Sequence, residues 1–232
     1  LLLDFTVTRW SFDNNLENVW RSHAPADVLR VITRRFADAN NAGILSVLLD
    51  VASTLDRAGE PFVREAWLSY PERVELPSLA MASSRCLEHR EGFDRVTKAL
   101  SGCEGHKKRD QMYVLSYFQS PETLDWIEQN AFSPIMEDWG RLAAASEFNW
   151  PHARKWLESG RPLNLIALDA LAEIIRPQSP LLQKLSPRLH QPPDFETFGG
   201  VLAANVQRDS VPRVKMATEF ILKNVAASKS LD

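Results

Sequence analysis

The sequence predicts an all-α protein in which short helices follow one another as antiparallel hairpins, and three observations predict it. Apolar residues recur at helical spacing: Leu163, Ile166, Ala167, Ala170, Leu171 and Ile174 fall at i, i+3, i+4, i+7, i+8 and i+11. Prolines stand where helices begin. Ser120-Pro121, Ser133-Pro134 and Ser179-Pro180 each pair a capping hydroxyl with a residue whose missing N–H costs nothing at a first helical position, and Asp209-Ser210 precedes Pro212. β-Branched enrichment is confined to Leu2 to Thr8, which has no second strand to pair with and reads as helix or coil.

In chain order, the apolar spacing places helices near residues 26–38, 43–57, 61–69, 72–89, 92–100 and 107–118. The Ser-Pro marks then open helices near 121–130 and 134–146, followed by 151–158 and 162–175. The last three lie near 180–190, 194–207 and 212–226. The helix at 162–175 also carries Leu165, Leu168 and Ile175 off its main stripe; a helix apolar nearly all round needs neighbours on more than one side. Arg176 to Pro180 and Gln191 to Asp194 read as inter-helix turns rather than linkers, so residues 1–232 are expected to form one continuous helical domain. The first residue is not Met, which suggests a piece of a longer chain.

Composition narrows the function classes. With 44% hydrophobic and 25% charged residues the chain is an ordinary folding sequence. A net charge of -3 and a pI near 6.0 remove the bulk electrostatic argument for a nucleic-acid or anionic-membrane partner. The longest apolar stretches, Gly43 to Leu55 and Leu163 to Ile175, are interrupted by Asp50 and by Asp169 with Glu173, and are too short to span a bilayer. Leu1-Leu2-Leu3 runs straight into Asp4 without a basic region or cleavage site, so it is not read as a signal peptide. Two cysteines in a chain of 232 residues make no disulfide framework and point to the cytoplasm.

The stretch Asp209-Ser210-Val211-Pro212-Arg213-Val214-Lys215-Met216-Ala217 resembles the Asp, Pro-x-Arg-Val-x-x-Ala start of a HEAT repeat. Gly105 to Asn130 and Trp150 to Ile175 look like two further degenerate hairpins, with starts roughly 40 to 50 residues apart. The resemblance to the HEAT/armadillo superfamily covers the second half of the chain best. It implies a right-handed α-α superhelix whose concave face holds a protein or, less often, a nucleic acid.

Cys86-x-x-His89 followed by Cys103-x-x-His106 offers four residues of zinc-ligand type. The intervening helix would leave the two half-sites about 15 Å apart, so the favoured interpretation is two buried cysteines and two surface histidines. Basic clusters at Arg34-Arg35, Lys107-Lys108-Arg109 and Arg154-Lys155 suit nucleic acid only if they converge on one face, as in the HEAT-like DNA glycosylases. Trp126, Trp139, Trp150 and Trp156 lie between Gln119 and Gly160, where seven acidic residues face three basic ones. Those tryptophans either line an acidic groove for a basic or extended peptide, or fill the core while the acids face water, and the second is favoured. The five histidines form no HExxH, and Gly199-Gly200 is no phosphate loop. No catalytic, cofactor-binding or metal-binding residue is assigned, and the expected role is a non-catalytic scaffold for another protein.

Overall fold

A computed structural model describes Leu2, Thr6 and residues 14–103, 111–131, 136–175, 195–208 and 212–228. Every regular element among them is helical, and none of the helices searched is long and apolar enough to cross a membrane. The chain divides into two compact units, Leu1–Tyr117 and Phe118–Asp232.

In the first unit α1 (Asn14–Arg21), α2 (Pro25–Asp38) and α3 (Ala42–Ser53) lead into a 3-10 turn at Asp56–Gly59. Then come α4 (Glu60–Trp67), α5 (Leu76–Cys86), α6 (His89–Ser101) and a second 3-10 stretch, Met112–Tyr117. The centre is α3, packed on α2, α4, α5 and the turn. Asn41 starts it by accepting from the amides of Gly43 at 2.8 Å and Ile44 at 3.3 Å, two donors that have no partner inside the helix. Leu45, Leu48, Leu49, Val51 and Ala52 then bury nearly its whole circumference.

Several elements differ from the sequence expectation, among them the helix expected over 107–118, whose described part is a 3-10 stretch at Met112–Tyr117. The helix expected to reach residue 57 ends at Ser53. Thr54 Oγ1 donates back to the Val51 carbonyl at 2.7 Å, and Asp56 has a φ of 48°, a left-handed conformation that Asp tolerates better than most residues but that no α-helix contains. The stretch expected as one helix over 72–89 starts only at Leu76 and is broken after Cys86, where Leu87 takes an extended ψ of 164°. α1 lies outside the helices read from sequence: its only buried apolar anchors among described side chains are Leu16 and Trp20, too few to set a period. Trp20 is fixed by an Nε1–H bond to Thr6 Oγ1 at 3.2 Å.

The second unit holds α7 (Pro121–Asn130), α8 (Met136–Ala145), α9 (Trp150–Glu158), α10 (Leu163–Ile175), α11 (Phe195–Arg208) and α12 (Pro212–Ser228). α10 is covered by α8, α9 and α12, while α9 also packs on α11 and α11 on α12, so the all-round apolar helix has neighbours on several sides as its sequence requires. α9 is closed at both ends. Asn149 accepts from the His152 amide at 3.2 Å, and Arg208 of α11 donates to the carbonyls of Leu157 and Glu158 at 2.8 and 2.7 Å. α7 begins at Pro121 as expected, though the Ser120 hydroxyl makes no capping bond. Ser133-Pro134, Ser179-Pro180, the helix expected at 180–190, and Asp209-Ser210 lie outside the described residues.

α8 meets α10 through Gly140. A Cβ added there would stand 2.5 Å from Asp169 Cβ and 3.2 Å from the Ala170 backbone nitrogen, atoms that cannot swing aside. Gly140→Ala gains about 1 kcal/mol of helix propensity but forces the two helices apart, at about 1–3 kcal/mol for overpacking. The expected outcome is net destabilisation by about 1–2 kcal/mol, read as a lower urea midpoint at unchanged slope; an unchanged or higher midpoint would show that the helices separate freely here.

Candidate functional site

The tryptophan-rich segment resolves into core. Trp126, Trp139 and Trp156 are buried, with ring centroids 5.6 Å apart for Trp126 and Trp139 and 5.2 Å for Phe148 and Trp156. Trp150 alone of the four is half-buried. The aromatic groove considered from sequence is therefore not what these rings build. Of the acids, Glu122, Asp125, Glu147 and Glu158 are exposed. Glu128 is structural: it accepts from Lys155 Nζ at 2.7 and 2.8 Å and from Trp156 Nε1 at 2.5 Å. Burial alone would raise its carboxyl, but those hydrogen bonds outweigh burial and hold it below the usual carboxylate value.

The same contacts engage the basic cluster, since Lys155 is paired with Glu128 and Arg154 with Glu158 at 3.0 Å. A cavity of about 640 Å³ beside them is lined by Trp150, Pro151, Arg154, Lys155, Glu158 and Ser159. All six belong to α9 and its end, so it is an open helix face. Arg34 and Arg35 are exposed on α2, and Lys107-Lys108-Arg109 lies outside the described residues.

The Cys/His pattern is divided by α6. Cys86 is buried before it and donates through Sγ to the Ala52 carbonyl at 3.4 Å; burial, reinforced by Asp56, pushes its thiol up to about 12, which keeps it protonated. His89 is exposed and stacks on Phe93 at 6.3 Å. Cys103 follows the helix and donates to Gln111 Oε1 at 3.4 Å. The 13 residues of α6 separate the ends by about 20 Å at 1.5 Å each. His106 lies outside the described residues, among which no group of three or more His, Cys, Asp or Glu is placed to hold a metal ion.

One group escaped assignment from sequence. Asp50 is half-buried on α3, and burial raises its carboxyl to about 6 against the pull of Arg85. Tyr117, its neighbour from the 3-10 stretch, is raised in turn by burial, then by Tyr113 and Asp50. Arg85 gives its guanidinium to Glu17 instead, at 3.0 Å; Glu17 also holds Arg21 at 3.0 Å, and Arg21 holds Asp56 at 2.9 Å. The signal was legible as the one acid interrupting an apolar run, although its meaning depends on what packs over it. A carboxyl that titrates near neutrality exchanges a proton readily. With Tyr117 and Arg85 it makes a proton-sensitive contact.

Compared with known proteins, the chain matches no family model, no curated protein and no solved structure.

Proposed function

We propose that the chain is a non-catalytic helical-repeat scaffold that binds another protein through α12. The observation that carries this is the outward face of that helix: Met216 is 69% and Phe220 38% exposed, one turn apart, beside Lys215, Glu219 and Lys223. Large apolar side chains presented together and rimmed by charge are the usual make-up of an interaction surface. A superhelical repeat of the HEAT/armadillo kind is supported by α8, α10 and α12 packing in succession with α9 and α11 alongside. Arg213, from the repeat-like motif, pairs with Asp169 of α10 at 2.7 Å. A cytoplasmic setting belongs to the same proposal, supported by Cys86 and Cys103 being unpaired thiols.

The second reading, a nucleic-acid-binding solenoid, is favoured by one observation: Arg34 and Arg35 point outward on α2 and make no ion pair among the described residues. A photo-crosslinking residue placed at Met216 separates the two. The expected result is a protein adduct that survives nuclease and falls at least about tenfold on Phe220→Glu, with the melting curve unchanged. An adduct indifferent to Phe220→Glu would overturn the assignment to this face, and recovery that requires intact nucleic acid would favour the second reading.

A further inference from the structure

We propose that the partner received by α12 is an amphipathic helix whose apolar stripe is bordered by two acids set two turns apart, one for Lys215 and one for Lys223. The inference rests on the reading that α12 is the binding helix, and adds the chemistry of what binds. Val214, Thr218 and Ile221 are buried, which leaves two rows side by side on the outer face. Pro212, Met216 and Phe220 make the apolar row, and Lys215, Glu219 and Lys223 the charged one; all six are exposed. Both rows step by four residues and so form ridges along the helix, the relief into which the ridge of another helix packs. α12 already receives one neighbour in this manner, since it packs on α10 with an ion pair at the edge, Arg213 to Asp169 at 2.7 Å.

Charge selects among the occupants. Lys215, Glu219 and Lys223 make no hydrogen bond or ion pair among the described residues, so their charges are available to a partner. The order Lys, Glu, Lys is matched in full by Glu, Lys, Glu at the same four-residue steps. Both orders are symmetric, so the match holds with the partner helix running either way. A second copy of α12 fits less well. In register it sets Lys against Lys and Glu against Glu; shifted by one turn it gains two Lys–Glu pairs and leaves one lysine of each copy unmatched. A nucleic-acid backbone would meet Glu219 in the middle of the row and has no counterpart for Met216 and Phe220.

The test follows the methionine methyl signals of the full chain by NMR, with the buried Met112 as internal reference for the exposed Met216. Two peptides of roughly 18 residues, about five helical turns, serve as probes. One carries a leucine row beside Glu, Lys and Glu at four-residue steps; the other has Lys, Glu and Lys there instead. Both are lactam-bridged on the far side, because free helices of that length are marginal in water. Met216 is expected to shift with the first peptide at an affinity about tenfold above the second at low salt, with the gap closing at high salt and Met112 unmoved. Exchanging the charges on α12, by Lys215→Glu, Glu219→Lys and Lys223→Glu together, should reverse the preference. Equal affinities, no shift with either peptide, or a shift that follows chain concentration without peptide each overturn the proposed partner. The crosslinking at Met216 separates this failure from that of the binding helix: a protein adduct sensitive to Phe220→Glu keeps α12 as the binding face whatever the peptides do, and its loss removes both readings.

Discussion

Trp156→Ala is expected to lower the unfolding free energy by about 4 kcal/mol, the typical cost of deleting a large aromatic from a core. Trp156 is 0% exposed, its ring lies 5.2 Å from Phe148, and its indole N–H is donated to Glu128. Truncation removes the transfer free energy of the ring, leaves a cavity between α9 and its neighbours, breaks an aromatic pair worth about 1 kcal/mol, and takes one donor from a half-buried carboxylate. Trp156→Phe keeps most of the volume and loses only the hydrogen bond and part of the packing, so it should cost about 1–2 kcal/mol. Calorimetry is the suitable measurement because a chain with two compact units need not melt in one step. The transition that contains the second unit should fall by on the order of 15 °C for the alanine variant and a third of that for phenylalanine. A ring lining a peptide groove would give a shift near zero and a loss of binding instead, so the result also decides between the two interpretations that the sequence offered for this segment.

What the sequence disclosed follows how each signal is encoded. Apolar period and proline position are local, and they located α7, α9, α10 and α12 to within a residue or so at their starts. The endings were less legible. Asp56 terminates the α3 region through its own left-handed backbone, a conformation that pattern reading does not assign to a residue lying in a helical run. α1 is held by Trp20 reaching Thr6, a contact 14 residues away in sequence that no window of eight residues contains. The site features are harder still. Asp50 and Glu128 are both single acids on helices, and only their surroundings divide them: Glu128 meets Lys155 and an indole N–H, while Asp50 meets apolar packing and an arginine already engaged. Their carboxyls consequently move in opposite directions from the ordinary value, which composition and spacing do not foretell.

That contrast supports a second large effect, with an unusual sign. Asp50→Asn is expected to stabilise the protein by about 2–3 kcal/mol at pH 8 and to leave it unchanged near pH 3.5. The carboxyl of Asp50 lies at about 6 in the folded chain against an ordinary 3.8, and that interval is worth about 3 kcal/mol at 1.36 kcal/mol for each pH unit. Because the folded value is the higher one, the folded state binds the proton more tightly than the unfolded chain does. The favourable contribution is complete below 3.8, declines as pH rises toward 6, and is lost above it, where the ionised group sits half-buried at full cost. Asparagine has nearly the same shape and never carries that charge. Urea denaturation of both proteins from pH 3.5 to 8 measures the difference directly, and taking the difference removes the titration of every other carboxylate. A gap that opens between pH 4 and 6 and then stays level identifies Asp50 as the source. A gap of constant size would mean that asparagine acts through packing alone, and a gap that widens toward acid would mean that the carboxylate is stabilised by Arg85 more than it is penalised by burial.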